Sequence, residues 1–246
     1  MEEKIKRVEI KGRRYYQVSK GPEVLGLFPS VTTVLGETSD KTGLEKWKAK
    51  VGEEEANRIS LNSMNRGTVL HRLIELYKPL TGPKEERLET LKWHLRNDKE
   101  IKQFDEIYIE QGFEFFMKFY NNSSQFFDRV KRVIAAEKFL WSVKGGGYAG
   151  TVDNVSELID DRIIVIDYKN SRKPKTEAYV QDYYHQAAAY YVAFWERTGI
   201  RPKGAEIWIA NEKDECPQIF SLSDSDIKIY FKLFQERLVK YKLLTA

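Results

Sequence analysis

The apolar run 163–166, Ile-Ile-Val-Ile, constrains the fold most, because it ends directly in Asp-Tyr-Lys at 167–169. Four β-branched residues between turn-like segments predict a strand in the core. An ionised carboxylate that is buried without partners costs several kcal/mol, so Asp167 needs a cation, hydrogen bonds or a cleft at the end of this strand. Because strand side chains alternate, Asp167 and Lys169 share one face and Tyr168 points away.

A second carboxylate lies just upstream in the sequence. Asp153 stands in GTVDNV, and the following ELIDDR has the composition of a hairpin loop. Such a hairpin would bring Asp153 beside Asp167 and Lys169. The sequence therefore predicts two carboxylates and a lysine at one place.

Composition narrows the class of protein. A chain of 246 residues fits one domain over 1–246, and 41 Lys+Arg against 37 Asp+Glu permit a polyanionic partner without demanding one. The single cysteine, Cys216, argues against disulfides and an iron–sulfur cluster, and favours a reducing compartment. No run approaches the roughly 20 apolar residues of a membrane span, and no apolar run follows the charged start, so we expect an intracellular, cytoplasmic protein without membrane contact.

Hydrophobic periodicity predicts a helical N-terminal half and a mixed C-terminal half. RVEIKGRRYYQVS predicts a hairpin that turns at Lys11-Gly12, and VLGLFPSVTTVLGET predicts a strand that leads into a capped helix. Apolar residues then recur at helical spacing over about 44–78 and 85–120. From about 129 to 246 the pattern predicts a strand, the hairpin, a helix, a strand and a closing helix. Helices on either side of a small mixed sheet predict an α/β sandwich.

Four further polar residues are placed to join the charged site. Glu137 follows an apolar run on the strand before Asp153, and His71 lies on a helix among apolar residues. Gln186 and Tyr190 are one helical turn apart. Taken singly, His71 is more often a core histidine, and Gln186 with Tyr190 is more often ordinary packing.

The order of the whole set carries more information than any member. The series is His71, Glu137, Gly150-x-x-Asp153, Asp167-x-Lys169 and Gln186-x-x-x-Tyr190. It resembles the motif series of the RecB-like branch of the PD-(D/E)xK nuclease superfamily. The resemblance implies a restriction-endonuclease-like α/β/α sandwich with a central mixed sheet and a helical N-terminal half.

The N-terminal half resembles a narrower group. FPSVTTVLGET, LEKWKAK and RGTVLHRLIELY are similar to segments of the mitochondrial genome maintenance exonuclease group and its phage and bacterial relatives. The resemblance runs from about Phe28 to Tyr190, and for a phage protein it implies the host cytoplasm. Asn170 departs from it, because many relatives carry Thr there in contact with the substrate.

The chemistry of phosphodiester cleavage fits these residue types. Charge that develops on phosphorus calls for hard cations, oxygen ligands and a source of hydroxide. Asp153 and Asp167 suit Mg²⁺, and His71 suits Mn²⁺ as a substitute. The resemblance adds the main-chain carbonyl of Tyr168 as a ligand. Lys169 is expected to orient and help deprotonate the attacking water.

Supporting and DNA-binding roles follow from position. We expect Glu137 to hold Lys169 or a metal-bound water, and Gln186 and Tyr190 to position the scissile strand. Six residues are candidate phosphate contacts: Arg172, Lys173 and Lys175 after the strand, and Ser30, Thr32 and Thr33 at a helix start. A solvated loop and an ordinary helix cap are the alternatives. The aromatic tract 111–127 has the pattern of helix core more than of a base-stacking surface.

These observations predict a metal-dependent DNA exonuclease that acts on single-stranded or end-frayed DNA in replication, recombination or repair. The helical stretch 85–120 is available to cover the cleft and admit only a threaded strand. Two alternatives are a restriction-type endonuclease and a catalytically silent nucleic-acid-binding module. Asp153, Asp167 and Lys169 argue against the silent module, which has no chemical need for all three.

Overall fold

A computed structural model describes residues 3–245, and this part of the chain contains two β-sheets. The first is antiparallel, with strands β1 (Glu3–Ile10), β2 (Arg13–Lys20) and β3 (Glu23–Pro29) in that order. Lys11 and Gly12 take left-handed φ values of 51° and 73°, which suit a tight two-residue hairpin turn. The predicted N-terminal hairpin is confirmed.

A run of helices follows the first sheet. These are α1 (Val31–Thr38), α2 (Thr42–Val51), α3 (Glu53–Tyr77), α4 (Lys84–Asn97) and α5 (Glu106–Asn121). The stretch 85–120, which the periodicity predicts to be helical, forms two helices joined by residues 98–105. The Asp98 carboxylate accepts hydrogen bonds from the main-chain N–H groups of Glu100 and Ile101. Such local bonds compete with the helical ladder and fold the connection into a turn.

The second sheet is the centre of the molecule. Its strands are β4 (Val130–Ser142), β5 (Tyr148–Leu158), β6 (Ile163–Ser171), β7 (Gly204–Asn211) and β8 (Gln218–Ser223), in that spatial order, with helices α6 (Gln181–Thr198) and α7 (Asp224–Thr245). Strands β6 and β7 are parallel and the other neighbours are antiparallel, so the sheet is mixed. Helix α6 makes the crossover that a parallel pair requires. The sequence pattern did not predict β8.

Alternating side chains of the central sheet build a core on each face. Val165 of β6 and Ile207 of β7 pack in one cluster with residues of α1, α6 and α7. Ile166 and Trp208 pack in the other with residues of α3, α4 and α5. This confirms the restriction-endonuclease-like α/β/α sandwich. Within residues 3–245, no helix combines the length and apolarity needed to cross a membrane.

The aromatic tract in α5 belongs to the second core. Phe115, Phe116 and Phe119 are buried, and the Phe119 ring lies 6.3 Å from that of Trp208 in β7. The interpretation of this tract as core is confirmed. Helix α5 therefore packs on the sheet through its aromatic face, because burying that face stabilises the fold.

Candidate active site

The candidate site lies where β5 and β6 separate. Their pairing ends at Asn154 and Ile166, so the main chain of Tyr168 lacks a partner in β5. Tyr168 N–H donates to Asp153 Oδ2 at 2.9 Å, and the Tyr168 carbonyl lies 2.8 Å from His71 Nε2. Buried main-chain groups need partners, and here two functional side chains replace a strand. The separation of the strands thus fixes Asp153 and His71 in place.

Helix α3 presents one face of the His71 ring to two carboxylates. A carbonyl only accepts, so Nε2 carries the proton and Nδ1 carries a lone pair. Nδ1 lies 3.7 Å from Asp153 Oδ2 and 3.8 Å from Glu137 Oε1. Burial alone would lower the pKa of His71, but the negative charges of Asp153 and Glu137 outweigh it, and the pKa is raised. A proton or a cation is therefore favoured at Nδ1.

Asp167 and Lys169 form an ion pair on the face of β6 that meets α6. Asp167 is only 2% exposed, and its Oδ2 lies 2.5 Å from Lys169 Nζ. Gln186 on α6 donates from Nε2 to Asp167 Oδ1 at 3.0 Å. Burial raises the pKa of Asp167, and the Lys169 charge opposes that rise only in part. Burial lowers the pKa of Lys169, but Asp167 and Asp153 outweigh it, so Lys169 stays charged.

The donor set fits a divalent cation. One ligating atom each from His71, Glu137 and Asp153 can be chosen so that all three lie within 4.8 Å of one another. Asp167 Oδ2 is buried and is held by the Lys169 ammonium at 2.5 Å. An ionised carboxylate has about four lone-pair sites on its two oxygens, so Asp167 can face a cation while it pairs with Lys169. Carboxylates with one imidazole match hard divalent ions.

Three predicted supporting residues differ in detail from expectation. Glu137 faces His71, and among the described residues it makes no ion pair with Lys169, which pairs with Asp167. The Gln186 side-chain amide donates its hydrogen bond to the Asp167 carboxylate. Tyr190 is only 4% exposed, and a Cβ added at Gly150 would lie 2.6 Å from its hydroxyl oxygen. Gln186 and Tyr190 therefore lie behind the carboxylates. The sequence instead predicts that they contact the scissile strand.

The candidate phosphate contacts separate into two groups. Arg172 and Lys173 are exposed directly after β6, next to the site. Ser30 is buried, and its hydroxyl oxygen accepts the N–H of Thr33 at 3.0 Å as the cap of α1. The hydroxyl of Ser30 is thus engaged inside the protein, whereas Thr32 is exposed and bonded to Arg14. Thr33 also accepts from the Ser30 hydroxyl.

Lys78 is a site residue that the sequence did not reveal. Its Nζ lies 4.4 Å from the centre of the Tyr168 ring. Burial lowers the pKa of Lys78 to about 7, although Asp153 and Glu137 act in the opposite direction. Lys78 follows His71 by seven residues, which is two turns on the same helix face. That spacing was the available signal, but a lysine at a helix end usually indicates solvent.

Hard oxygen donors, an imidazole and a lysine at the end of a central strand are the groups that metal-assisted phosphodiester hydrolysis uses. The family model of the PD-(D/E)XK nuclease superfamily matches residues 43–241, and the chain belongs to that superfamily. PD-(D/E)XK nucleases use divalent metals and act on nucleic acids. The superfamily expected from the motif series is confirmed.

Solved structures show more distant similarity. A Eubacterium rectale protein of known crystal structure, provisionally named an exonuclease, is 15% identical in sequence. The structural match has a TM-score of 0.43 and covers 64% of this chain. The chain spans 61% of the length of that protein. The protein SSO0001, known from a crystal structure, is 13% identical in sequence, with a TM-score of 0.37. The match covers 72% of this chain and 84% of that protein. A search of curated proteins gave no match.

Proposed function

We propose that this chain is a Mg²⁺-dependent DNA exonuclease that hydrolyses single-stranded or end-frayed DNA in replication, recombination or repair. The supporting observation is the meeting of Asp153, Asp167, Lys169 and His71 where β5 and β6 separate, with a buried Asp167 carboxylate paired to Lys169. The proposal treats residues 1–246 as one nuclease domain. It places the chain in the cytoplasm, or in a host cytoplasm for a phage protein.

The ligands that we propose are the side chains of His71, Asp153 and Asp167 and the main-chain carbonyl of Tyr168. They would hold Mg²⁺, with Mn²⁺ as a substitute. The bound ion supplies a Lewis acid that stabilises negative charge developing on the phosphate. Gln186 orients the Asp167 carboxylate through a hydrogen bond from its amide. Tyr190 packs behind the carboxylates.

Lys169 has a different task from the ligands. Its side chain is 19% exposed beside Asp167, so it lies between the buried carboxylate and the solvent side of the site. There it offsets charge on the phosphate and orients the attacking water. Glu137, at the more exposed edge, accepts a hydrogen bond from that water and keeps His71 in place.

The exonuclease part of the proposal is supported by the resemblance of the chain, from about Phe28 to Tyr190, to the mitochondrial genome maintenance exonuclease group. The packing of α5 on the sheet favours a second candidate, a restriction-type endonuclease with an open groove. Linear and covalently closed circular single-stranded DNA, each incubated with the protein and Mg²⁺, separate the two. An exonuclease degrades only the linear strand, and nicking of the circle at a comparable rate establishes the endonuclease.

The hydrolase itself is tested by the Asp167→Ala variant. Loss of a metal ligand in this position removes several kcal/mol of transition-state stabilisation, so we expect hydrolysis of a single-stranded oligonucleotide to fall on the order of 10³-fold or more. Asp160→Ala, an exposed change in the loop of the same hairpin, should leave the rate unchanged. Circular dichroism checks that both variants are folded. Full activity of a folded Asp167→Ala protein would refute the proposed site.

A further inference from the structure

A cavity of about 460 Å³ opens beyond the end of β6, next to the candidate site. Trp47 of α2 and Ile59 and Ser63 of α3 form one wall, and the segment after β6 forms the other with Arg172, Lys173 and Lys175. The lining holds three cationic side chains and no carboxylate. One wall thus offers an aromatic and an apolar surface, and the other offers positive charge.

The packing of the described residues does not account for Trp47. Helix α2 buries none of its side chains, and Trp47 belongs to none of the core clusters formed by residues 3–245. Among residues 3–245, the Trp47 ring contacts no aromatic or cationic side chain, and its indole N–H donates no hydrogen bond. A half-buried indole at the mouth of a cavity, without a packing role, is available to a planar ligand.

The cationic wall is held in place through its backbone, and Lys175 Nζ also lies 5.8 Å from the centre of the Tyr179 ring. Ser171 Oγ donates to the Lys173 carbonyl at 2.7 Å. Lys175 N–H donates to the side chain of Gln218 at 2.7 Å, and Gln218 returns a bond of 3.0 Å to the Lys175 carbonyl. Within residues 3–245, none of the three cations makes an ion pair with a carboxylate. Their charges are therefore available to a phosphate.

Asn170 joins the two walls. Its side-chain N–H donates to the Ser63 carbonyl at 3.3 Å, and its oxygen accepts from Arg66 Nε at 3.2 Å. The cavity is thus held at a fixed width between α3 and β6. Arg172 follows Lys169 by three residues, or about 10 Å along an extended chain, so a strand bound at Lys169 reaches the cavity directly.

We propose that this cavity binds one unpaired nucleotide of the DNA substrate, with its base stacked on Trp47 and its phosphate beside Arg172, Lys173 and Lys175. The inference rests on the proposed function and gives it a source of strand preference. A base in a duplex is already stacked and paired, and it reaches the indole only after leaving the helix, which costs a few kcal/mol. An unpaired base enters without that cost, and stacking accepts every base because each has a π-face.

The test compares Trp47→Ala with Trp93→Ala, which removes an exposed indole on α4. Stacking energies of the usual size predict that Trp47→Ala raises KM for a single-stranded oligonucleotide about 5- to 150-fold, with kcat little changed. Trp47→Phe should restore part of the loss, since it keeps a stacking face. Trp93→Ala should behave as the wild type.

An oligonucleotide with abasic sites in place of its bases isolates the stacking. On that strand Trp47→Ala and the wild-type protein should give equal KM values. Equal KM values on the normal strand as well, or an equal loss on the abasic strand, would overturn the inference. Hydrolysis of bis(p-nitrophenyl) phosphate, which is too small to span both sites, reports the chemistry separately: if the wild-type protein fails on every substrate with Mg²⁺ and Mn²⁺, the proposed function has failed.

Discussion

At the scale of single residues, the main chain of Tyr168 organises the site. Its N–H orients Asp153 and its carbonyl fixes the tautomer of His71, so two proposed metal ligands on different elements share one reference point. The sequence singled out these residues because carboxylate, imidazole and lysine types are rare on apolar elements and expensive to bury. It did not predict Lys78, because a lysine is also the ordinary residue of a solvated helix end. It also did not predict that Glu137 faces His71, because strand alternation says nothing about which neighbour a side chain meets.

The raised pKa of His71 predicts how metal binding depends on pH. Asp153 and Glu137 stabilise the imidazolium against the effect of burial, so the proton competes with a cation for Nδ1 at a pH above the ordinary imidazole range. As pH falls through the raised pKa, Mn²⁺ affinity should fall, by up to about tenfold per unit. Calorimetric titration with Mn²⁺ between pH 5.5 and 8 measures this.

Two histidine variants serve as references for the calorimetry. His71→Gln should bind Mn²⁺ more weakly, with a shallower dependence on pH. His94→Gln, on α4, should match the wild type. A wild-type pH dependence that persists unchanged in His71→Gln would assign the titration to another group.

At the scale of elements, the close approach of α3 to β6 sets the geometry of both the site and the cavity. A Cβ added at Gly67 would lie 2.6 Å from the Asn170 side-chain nitrogen. Elements with a strong period and clear boundary residues, such as the β5–β6 hairpin and α6, were predictable from sequence. The turn at Asp98 and strand β8 were not, because the first depends on side-chain bonds to the main chain and the second is a short edge strand that pairs only with β7.

The Gly67 contact can be measured as a coupling free energy. Alanine is favoured over glycine inside a helix by about 1 kcal/mol, but Gly67→Ala pushes its methyl group into Asn170. We expect Gly67→Ala to lower the free energy of unfolding in the wild-type background and to raise it in Asn170→Ala, with a coupling of about 1 kcal/mol or more. Urea unfolding of the four proteins gives the cycle. Additive effects would show that α3 relaxes without cost.

The start of α7 carries a contribution to stability that depends on pH. Asp224 accepts from the Tyr191 hydroxyl at 2.6 Å and pairs with Arg201 at 2.7 Å, and these contacts lower the pKa of Asp224 to about 2. A lowered pKa stabilises the fold above the unfolded value near 4, and the stabilisation is lost as pH falls toward 2. Asp224→Asn should therefore cost about 1 kcal/mol at pH 7 and progressively less below pH 4.

Thermal unfolding of both proteins from pH 7 down to the lowest pH at which they stay folded checks this. In a protein of this size, 1 kcal/mol corresponds to roughly 2–4 °C. Asp226→Asn is a poor control because its carboxylate also caps the helix start, so Glu236→Gln, an exposed change farther along α7, is preferable. A constant difference in Tm across the range would contradict the assignment.

At the scale of the whole molecule, the net charge of +4 is small, and its distribution matters more than its sum. The three cations after β6 have no ion-pair partner among the described residues, whereas many others are neutralised locally, such as Lys131 and Arg132 beside Glu157. The overall composition is therefore compatible with a polyanionic partner but does not by itself indicate one. The position of the free charges, which depends on the tertiary fold, indicates where it would bind.

Salt dependence tests that position. Each phosphate contact to a single strand contributes about 0.7 to the slope of log K against log salt, so Arg172→Gln with Lys173→Gln should make the slope less negative by about 1.4. Binding of a fluorescent oligonucleotide between 50 and 300 mM NaCl, measured by anisotropy in EDTA, gives the slopes. Lys228→Gln with Lys232→Gln on α7 removes the same charge elsewhere and should leave the slope unchanged. Equal slopes for the two double variants would remove this segment from the DNA contact.

The left-handed backbone at Glu137, with φ of 44° between two paired residues of β4, sets stability against the proposed catalytic role of this residue during evolution. A glycine at this position would relieve strain of about 1 kcal/mol, yet it would delete the carboxylate that faces His71. Rounds of random mutagenesis selected only for heat resistance should therefore accumulate Glu137→Gly, and rounds selected for DNA hydrolysis should purge it. A glutamate maintained in a conformation that suits glycine is one that a lineage keeps only while the reaction is needed.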